Sequence, residues 1–119
     1  MRIHRIVITV DPDGSLKFEQ LIGGSTQGPD SGRQALVRQA DTIDWYCEVG
    51  NYACLFKSDS PLNVKAVSGA AFSNAPTPPV PVTRAHNQQG NNEYKYLVVV
   101  FKDDGTVLSQ DPTIIIDRP

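Results

Sequence analysis

The sequence is poor in the side chains that carry chemistry. Its 119 residues hold two cysteines, two histidines, one methionine and one tryptophan. Cys47 and Cys54 have neither the close spacing nor the second pair that a structural zinc site requires. Charge of one sign is missing as well: 11 basic and 13 acidic residues are scattered along the chain, for a net charge of -2. Such a surface offers no field to draw in nucleic acid or anionic lipid, so neither nucleic acid nor a membrane is expected as a partner. Long apolar runs are absent too. The longest, Ile6 to Val10 and Leu97 to Phe101, fall far short of the roughly 20 residues a membrane-spanning helix needs. The basic start, Met1-Arg2-Ile3-His4-Arg5, leads into an apolar stretch that stops at Asp11 without a small-residue cleavage site. It does not read as a secretory signal, which makes a cytoplasmic location the default expectation and secretion the alternative if a leader precedes these residues.

What is present is a β pattern, with no amphipathic helix of useful length. In Asp41-Thr42-Ile43-Asp44-Trp45-Tyr46-Cys47, a period of two places Ile43, Trp45 and Cys47 on one side and Thr42, Asp44 and Tyr46 on the other. The tryptophan marks this as a central strand. Ile3 to Val10 sets Ile6, Ile8 and Val10 opposite Arg5, Val7 and Thr9, and Asp11-Pro12-Asp13-Gly14 turns it back into a strand around Leu16 and Phe18. Ala35 to Arg38 is a short strand. Tyr52 to Lys57 returns from the Trp45 strand with Cys54 and Phe56 on one face, and Pro61 ends it. Glu93 to Lys102 opens with alternation and then turns apolar on both faces, which predicts cover from two sides. Asp103-Asp104-Gly105-Thr106 makes a hairpin into Val107 to Asp117, with a bend or bulge at Asp111-Pro112. Together these predict one all-β domain over residues 1–119: an antiparallel two-sheet Greek-key sandwich, immunoglobulin-like in kind, of about eight strands. Its expected core is Trp45, Phe56, Val98, Val100, Ile8 and Ile115.

The remaining segments argue against catalysis. Ile22 to Gln34 has no period and reads as a long loop; its paired glycines lack both the Gly-Lys-Ser/Thr ending and the following helix of a phosphate cradle. Leu62 to Asn74 is small and irregular, with one helical turn expected around Ala66, Gly69, Ala70 and Ala71. Pro76, Pro78, Pro79 and Pro81 stiffen the backbone toward polyproline II and confine it to an edge or the surface. His4, in an edge strand, and His86, in a polar loop, read as solvent-facing imidazoles with no nucleophile elbow beside them. Asp44 is expected on an outer face, and Asp41 at a bend where its carboxylate satisfies turn amides. No catalytic residue, metal site, cofactor or small-molecule substrate is read from these residues. Cys47 and Cys54 either bridge across a hairpin in an oxidising compartment or stand as two small buried hydrophobes.

Three segments carry a family resemblance: Gln39-Ala40-Asp41-Thr42-Ile43-Asp44-Trp45, then Leu55-Phe56-Lys57-Ser58-Asp59-Ser60-Pro61, then Gly90-Asn91-Asn92-Glu93-Tyr94-Lys95-Tyr96-Leu97-Val98. In order and spacing they resemble the cupredoxins, the blue-copper sandwich family, over roughly Ala35 to Lys102. The resemblance implies a copper held by two His, a Cys and usually a Met, but the chain departs from that pattern at each ligand. Tyr52 stands where the first His belongs and Val98 where the Cys belongs, and no His, Cys or Met follows Val98. A blue-copper site needs a thiolate and two imidazoles converging on one metal.

The function expected is therefore a metal-free, non-catalytic binding or assembly module that meets a protein partner or a copy of itself. Tyr46, Tyr52, Tyr94 and the Pro76 to Pro81 stretch are the candidate contact residues, since tyrosine covers apolar area while its hydroxyl stays wet. The alternatives are a redox or copper-carrying protein using Cys47 and Cys54, and an enzyme on a sandwich scaffold.

Overall fold

The computed structural model describes residues 2–23, 25–26, 33–69 and 76–118, with the backbone alone for Ser25 and Thr26. The regular structure among them is all β: β1 Ile3–Val10, β2 Leu16–Ile22, β3 Ser25–Thr26, β4 Gln34–Val37, β5 Thr42–Cys47, β6 Gly50–Phe56, β7 Ala66–Gly69, β8 Val80–Pro81, β9 Glu93–Lys102, β10 Val107–Gln110 and β11 Thr113–Ile116. They form two facing layers. One sheet has the order β3-β2-β1-β5-β8, and the other β4-β11-β9-β6-β7 with β10 also paired on β9.

Local chemistry sets the hairpins. The turns after β1 and β9 share one plan, a glycine at φ 89° in each, Gly14 and Gly105, where a side chain would be strained. Asp13 holds the amide of Ser15 at 3.0 Å, and Asp104 holds that of Thr106 at 2.9 Å. Both carboxyls are held below their ordinary range by these hydrogen bonds, the side-chain hydroxyls of Ser15 and Thr106 foremost. Asp111 and Pro112 interrupt β10 and β11, which otherwise follow one another along the same edge of β9.

Two pairings depart from the antiparallel expectation. β1 lies parallel to β5, with Ile6 opposite Trp45, and β4 lies parallel to β11, with Leu36 opposite Ile115. Parallel neighbours need a crossover, and the chain between β1 and β5 supplies one by visiting the second sheet as β4. The sheets are mixed for that reason. Period two says which residues share a face but not which strand lies alongside.

The core lies between the layers. Ile6, Ile8, Phe18, Ile43, Trp45 and Cys47 come from one inner face and Val37, Tyr52, Cys54, Tyr96, Val98, Val100, Ile114 and Ile116 from the other. Trp45 meets Phe56 and Tyr96 with ring centroids 5.5 and 5.7 Å away, and its indole N–H donates to the Tyr96 hydroxyl at 3.1 Å. Burial pushes the Tyr96 hydroxyl far up, as the nearby Cys54 also does. Ile115, expected in the core, is half-buried, and Ile114 and Ile116 point inward instead. Three consecutive isoleucines leave parity open; pairing on β9 decides it.

Two other expectations change. The helical turn around Ala66 and Gly69 is strand β7, paired on β6, while Ala70 and Ala71 lie outside the described residues. The loop after Ile22 contains the two-residue β3. The proline stretch does run along an edge: Thr77 and Val80 bond to β5, and Pro81 lies opposite Thr42. Proline's missing N–H makes β8 a blunt guard for that edge.

Candidate binding face

The titratable groups that would suggest chemistry are tied up inside. His4, expected to face solvent, is 1% exposed. Its Nε2 lies 2.7 Å from Asp41 Oδ2 and its Nδ1 2.8 Å from the Gln20 amide nitrogen. Gln20 in turn donates to the carbonyl of Leu36 at 3.1 Å and accepts its N–H at 3.3 Å. An amide group thus pairs with β4 as a neighbouring strand would, and stitches β2 to the opposite sheet. Asp41 also accepts the amides of Arg2 at 2.8 Å and Arg38 at 3.0 Å. Burial raises the Asp41 carboxyl, but the hydrogen bonds from His4, Arg2 and Arg38 outweigh it and hold the group below its ordinary range. A histidine oriented by an aspartate is the geometry of a general base. Here both ring nitrogens are engaged: these partners assign Nε2 as donor and Nδ1 as acceptor, which leaves no atom for a substrate.

Asp44 is also buried despite its outward parity, because Arg5 folds over it with Nε 2.9 Å from Oδ1. The carboxylate raises the Arg5 guanidinium above its ordinary value, chiefly through that hydrogen bond. Among the described residues no buried side-chain nitrogen or oxygen lacks a hydrogen-bond partner.

The sequence-nominated contact residues scatter. Tyr52 is buried on the inner face and donates to the Trp45 carbonyl at 2.8 Å, so it joins the two sheets. Tyr46 is half-buried on the outer face of β5. Tyr94 is half-buried at the end of β9, with the Arg84 guanidinium 5.9 Å from its ring centre. Pro76 is half-buried, while Pro78, Pro79 and Pro81 are exposed along the β8 edge. No common surface collects them. Cys47 and Cys54 are free thiols on opposite inner faces. Burial pushes both up, which suppresses the thiolate that redox chemistry and metal binding use.

The feature those residues did not reveal is the outer face of the second sheet. Leu55 is 44% exposed, Leu97 39%, Phe101 49% and Val107 57%. Register makes them one patch: Leu55 lies opposite Leu97, Ala53 opposite Val99, and Phe101 opposite both Asn51 and Val107. At the Leu97 end a hollow of about 300 Å³ opens between Leu55, Lys57, Lys95, Leu97 and Asp111. The first sheet's outer face differs in make-up: Arg5 pairs there with Asp44 and Lys17 lies 3.8 Å from Glu19, while the apolar Ile3, 59% exposed, stands at the start of β1. The signal was in the β9 sequence, where both parities are apolar from Leu97 to Phe101. Cover from two sides was expected, but no described residue covers the outer one.

Among the described residues no group of three or more His, Cys, Asp or Glu is placed to hold a metal ion, and no helix is long and apolar enough to cross a membrane. No family model matches the chain, and no curated protein matches it in sequence.

Proposed function

We propose that the protein is a non-catalytic, metal-free binding or assembly module that meets another protein through the outer face of its second sheet. One observation carries the reading: four large apolar side chains, Leu55, Leu97, Phe101 and Val107, stand together in solvent on one sheet, whereas the outer face of the other bears the Arg5–Asp44 and Lys17–Glu19 pairs beside Ile3. Contiguous exposed apolar surface on an otherwise well-satisfied protein marks an interaction site. The cupredoxin-like resemblance belongs to the same reading, since the positions where that family holds copper carry Tyr52 and Val98, both committed to the core.

A photo-crosslinking residue at Val99 tests the reading, with the same residue at Lys17 on the opposite outer face as control. In cells that make the protein, the Val99 position should give a discrete larger adduct and the Lys17 position none. Equal yields from the two positions, or no adduct from Val99, overturn it.

A further inference from the structure

We propose that His4, Gln20 and the edge of β4 form a proton-operated latch between the two sheets: a proton taken up on His4 Nδ1 releases the Gln20 amide from Leu36 and parts β2 from β4.

The edge that the latch closes is set by the pairing of β4. The N–H of Thr113 donates to the Arg33 carbonyl at 2.8 Å and that of Asp117 to the Val37 carbonyl at 2.7 Å. The odd-numbered residues of β4 therefore bond to β11, and Leu36 turns its N–H and carbonyl the other way. Among the described residues Gln20 is the group that meets them.

This chain of hydrogen bonds closes in one protonation state. Leu36 offers a donor and an acceptor side by side, which fixes the Gln20 carbonyl toward its N–H and the Gln20 NH2 toward its carbonyl. The second hydrogen of that NH2 needs an acceptor. His4 Nδ1, 2.8 Å away, is one only while it carries no proton. Nε2 already donates to Asp41 at 2.7 Å, so a second proton has only Nδ1 to go to, where it sets N–H against NH2. Turning the amide over satisfies His4 but sets NH2 against the Leu36 N–H and carbonyl against carbonyl. Either orientation is mismatched, and with Gln20 at 0% and His4 at 1% exposure no bulk solvent relieves it. Relief comes when Gln20 leaves Leu36.

The surrounding charges leave that conflict in place. Ile22 of β2 and Ile43 of β5 lie opposite His4 in register, β4 brings the Leu36 backbone, and Asp41 is the ionisable side chain bonded to the ring. Arg2 is exposed, and Arg38 reaches Asp117 at 3.8 Å. Arg5, Lys17, Glu19 and Asp44 pair on the outer face of the first sheet. Nε2 holds Asp41 in both states, so the change falls on the Gln20 side.

NMR of 15N-labelled protein, followed downward from about pH 8, reads both halves of the latch. The His4 ring nitrogens report its protonation, and hydrogen exchange of the Leu36 amide, set against that of Val98 in β9, reports the seam. As His4 becomes charged, protection of Leu36 should fall at least about tenfold while that of Val98 holds. In His4→Gln, whose side chain can donate to Asp41 and accept from Gln20 but does not titrate, protection of Leu36 should stay level over the same range. In Gln20→Glu the carboxylate accepts from both the imidazolium and the Leu36 N–H, so charging His4 should leave the seam closed. The proposal is overturned by a Leu36 amide still protected once His4 is charged, by a seam that opens while His4 is neutral, or by a His4 that stays neutral until the whole protein unfolds. The wild-type pH profile reproduced in His4→Gln or in Gln20→Glu overturns it too, and the wild-type arm decides even if a variant fails to fold.

Discussion

Replacing Asp41 with asparagine should destabilise the fold at neutral pH and remove part of its acid sensitivity. The carboxylate accepts three donors, His4 Nε2 at 2.7 Å, the Arg2 amide at 2.8 Å and the Arg38 amide at 3.0 Å, with Oδ2 taking two of them. An asparagine of the same shape has one acceptor oxygen. Its better orientation keeps that oxygen toward His4 and Arg38, and sets its NH2 group against the Arg2 amide. One hydrogen bond is lost and two lose charge assistance, a cost of about 1.5–3 kcal/mol; Asp41→Ala, which strands all three donors, should cost about 3–5 kcal/mol. The pH dependence follows from the lowered Asp41 carboxyl. A group whose folded pKa is depressed stabilises fully above its unfolded value, about 3.9, and that contribution fades as pH falls through the folded value. Denaturant unfolding of wild type and Asp41→Asn should therefore differ fully at pH 7, with the gap narrowing below about pH 4. Asp13 and Asp104 titrate in both proteins and cancel from the difference. A gap of the same size at pH 7 and pH 2.5, or an Asp41→Ala cost under about 1 kcal/mol, would refute the argument.

Tyr96→Phe leaves the buried indole N–H of Trp45 without its acceptor and should cost about 1–3 kcal/mol by thermal or chemical unfolding; an unchanged stability would mean that another acceptor replaces it. Ala40 holds φ at 74°, a left-handed conformation that costs a non-glycine residue about 1–2 kcal/mol. Ala40→Gly should therefore raise stability by about 0.5–1 kcal/mol after the glycine's extra unfolded-state entropy is subtracted, and a lower melting temperature would count against that. Gly50→Ala would drive a methyl group into the backbone carbonyl of Phe101; it should lower the melting temperature by several degrees at least, or fail to fold. Cys47 and Cys54 should react with a thiol reagent only as fast as the protein opens, because both are buried and burial raises both thiols; fast labelling in the native state would contradict the packing.

Much of the fold was legible locally. Alternation located β1, β5 and β9, and glycine after aspartate located the turns at Gly14 and Gly105. Missing N–H groups told where the prolines could lie, and the lone indole found the core. These signals are carried by one strand or one turn at a time. Only the tertiary structure decided what stands next to what: that β1 pairs parallel to β5, that Ile114 and Ile116 rather than Ile115 turn inward, and that His4, Gln20 and Asp44 are buried against partners up to 39 residues away in sequence. The candidate face was undecidable by the same logic. The apolar odd-numbered side of β9 reads alike whether it is buried under another layer or stands open, because the pattern of a strand records how apolar each side is and carries nothing about whether the rest of the chain folds back to cover it.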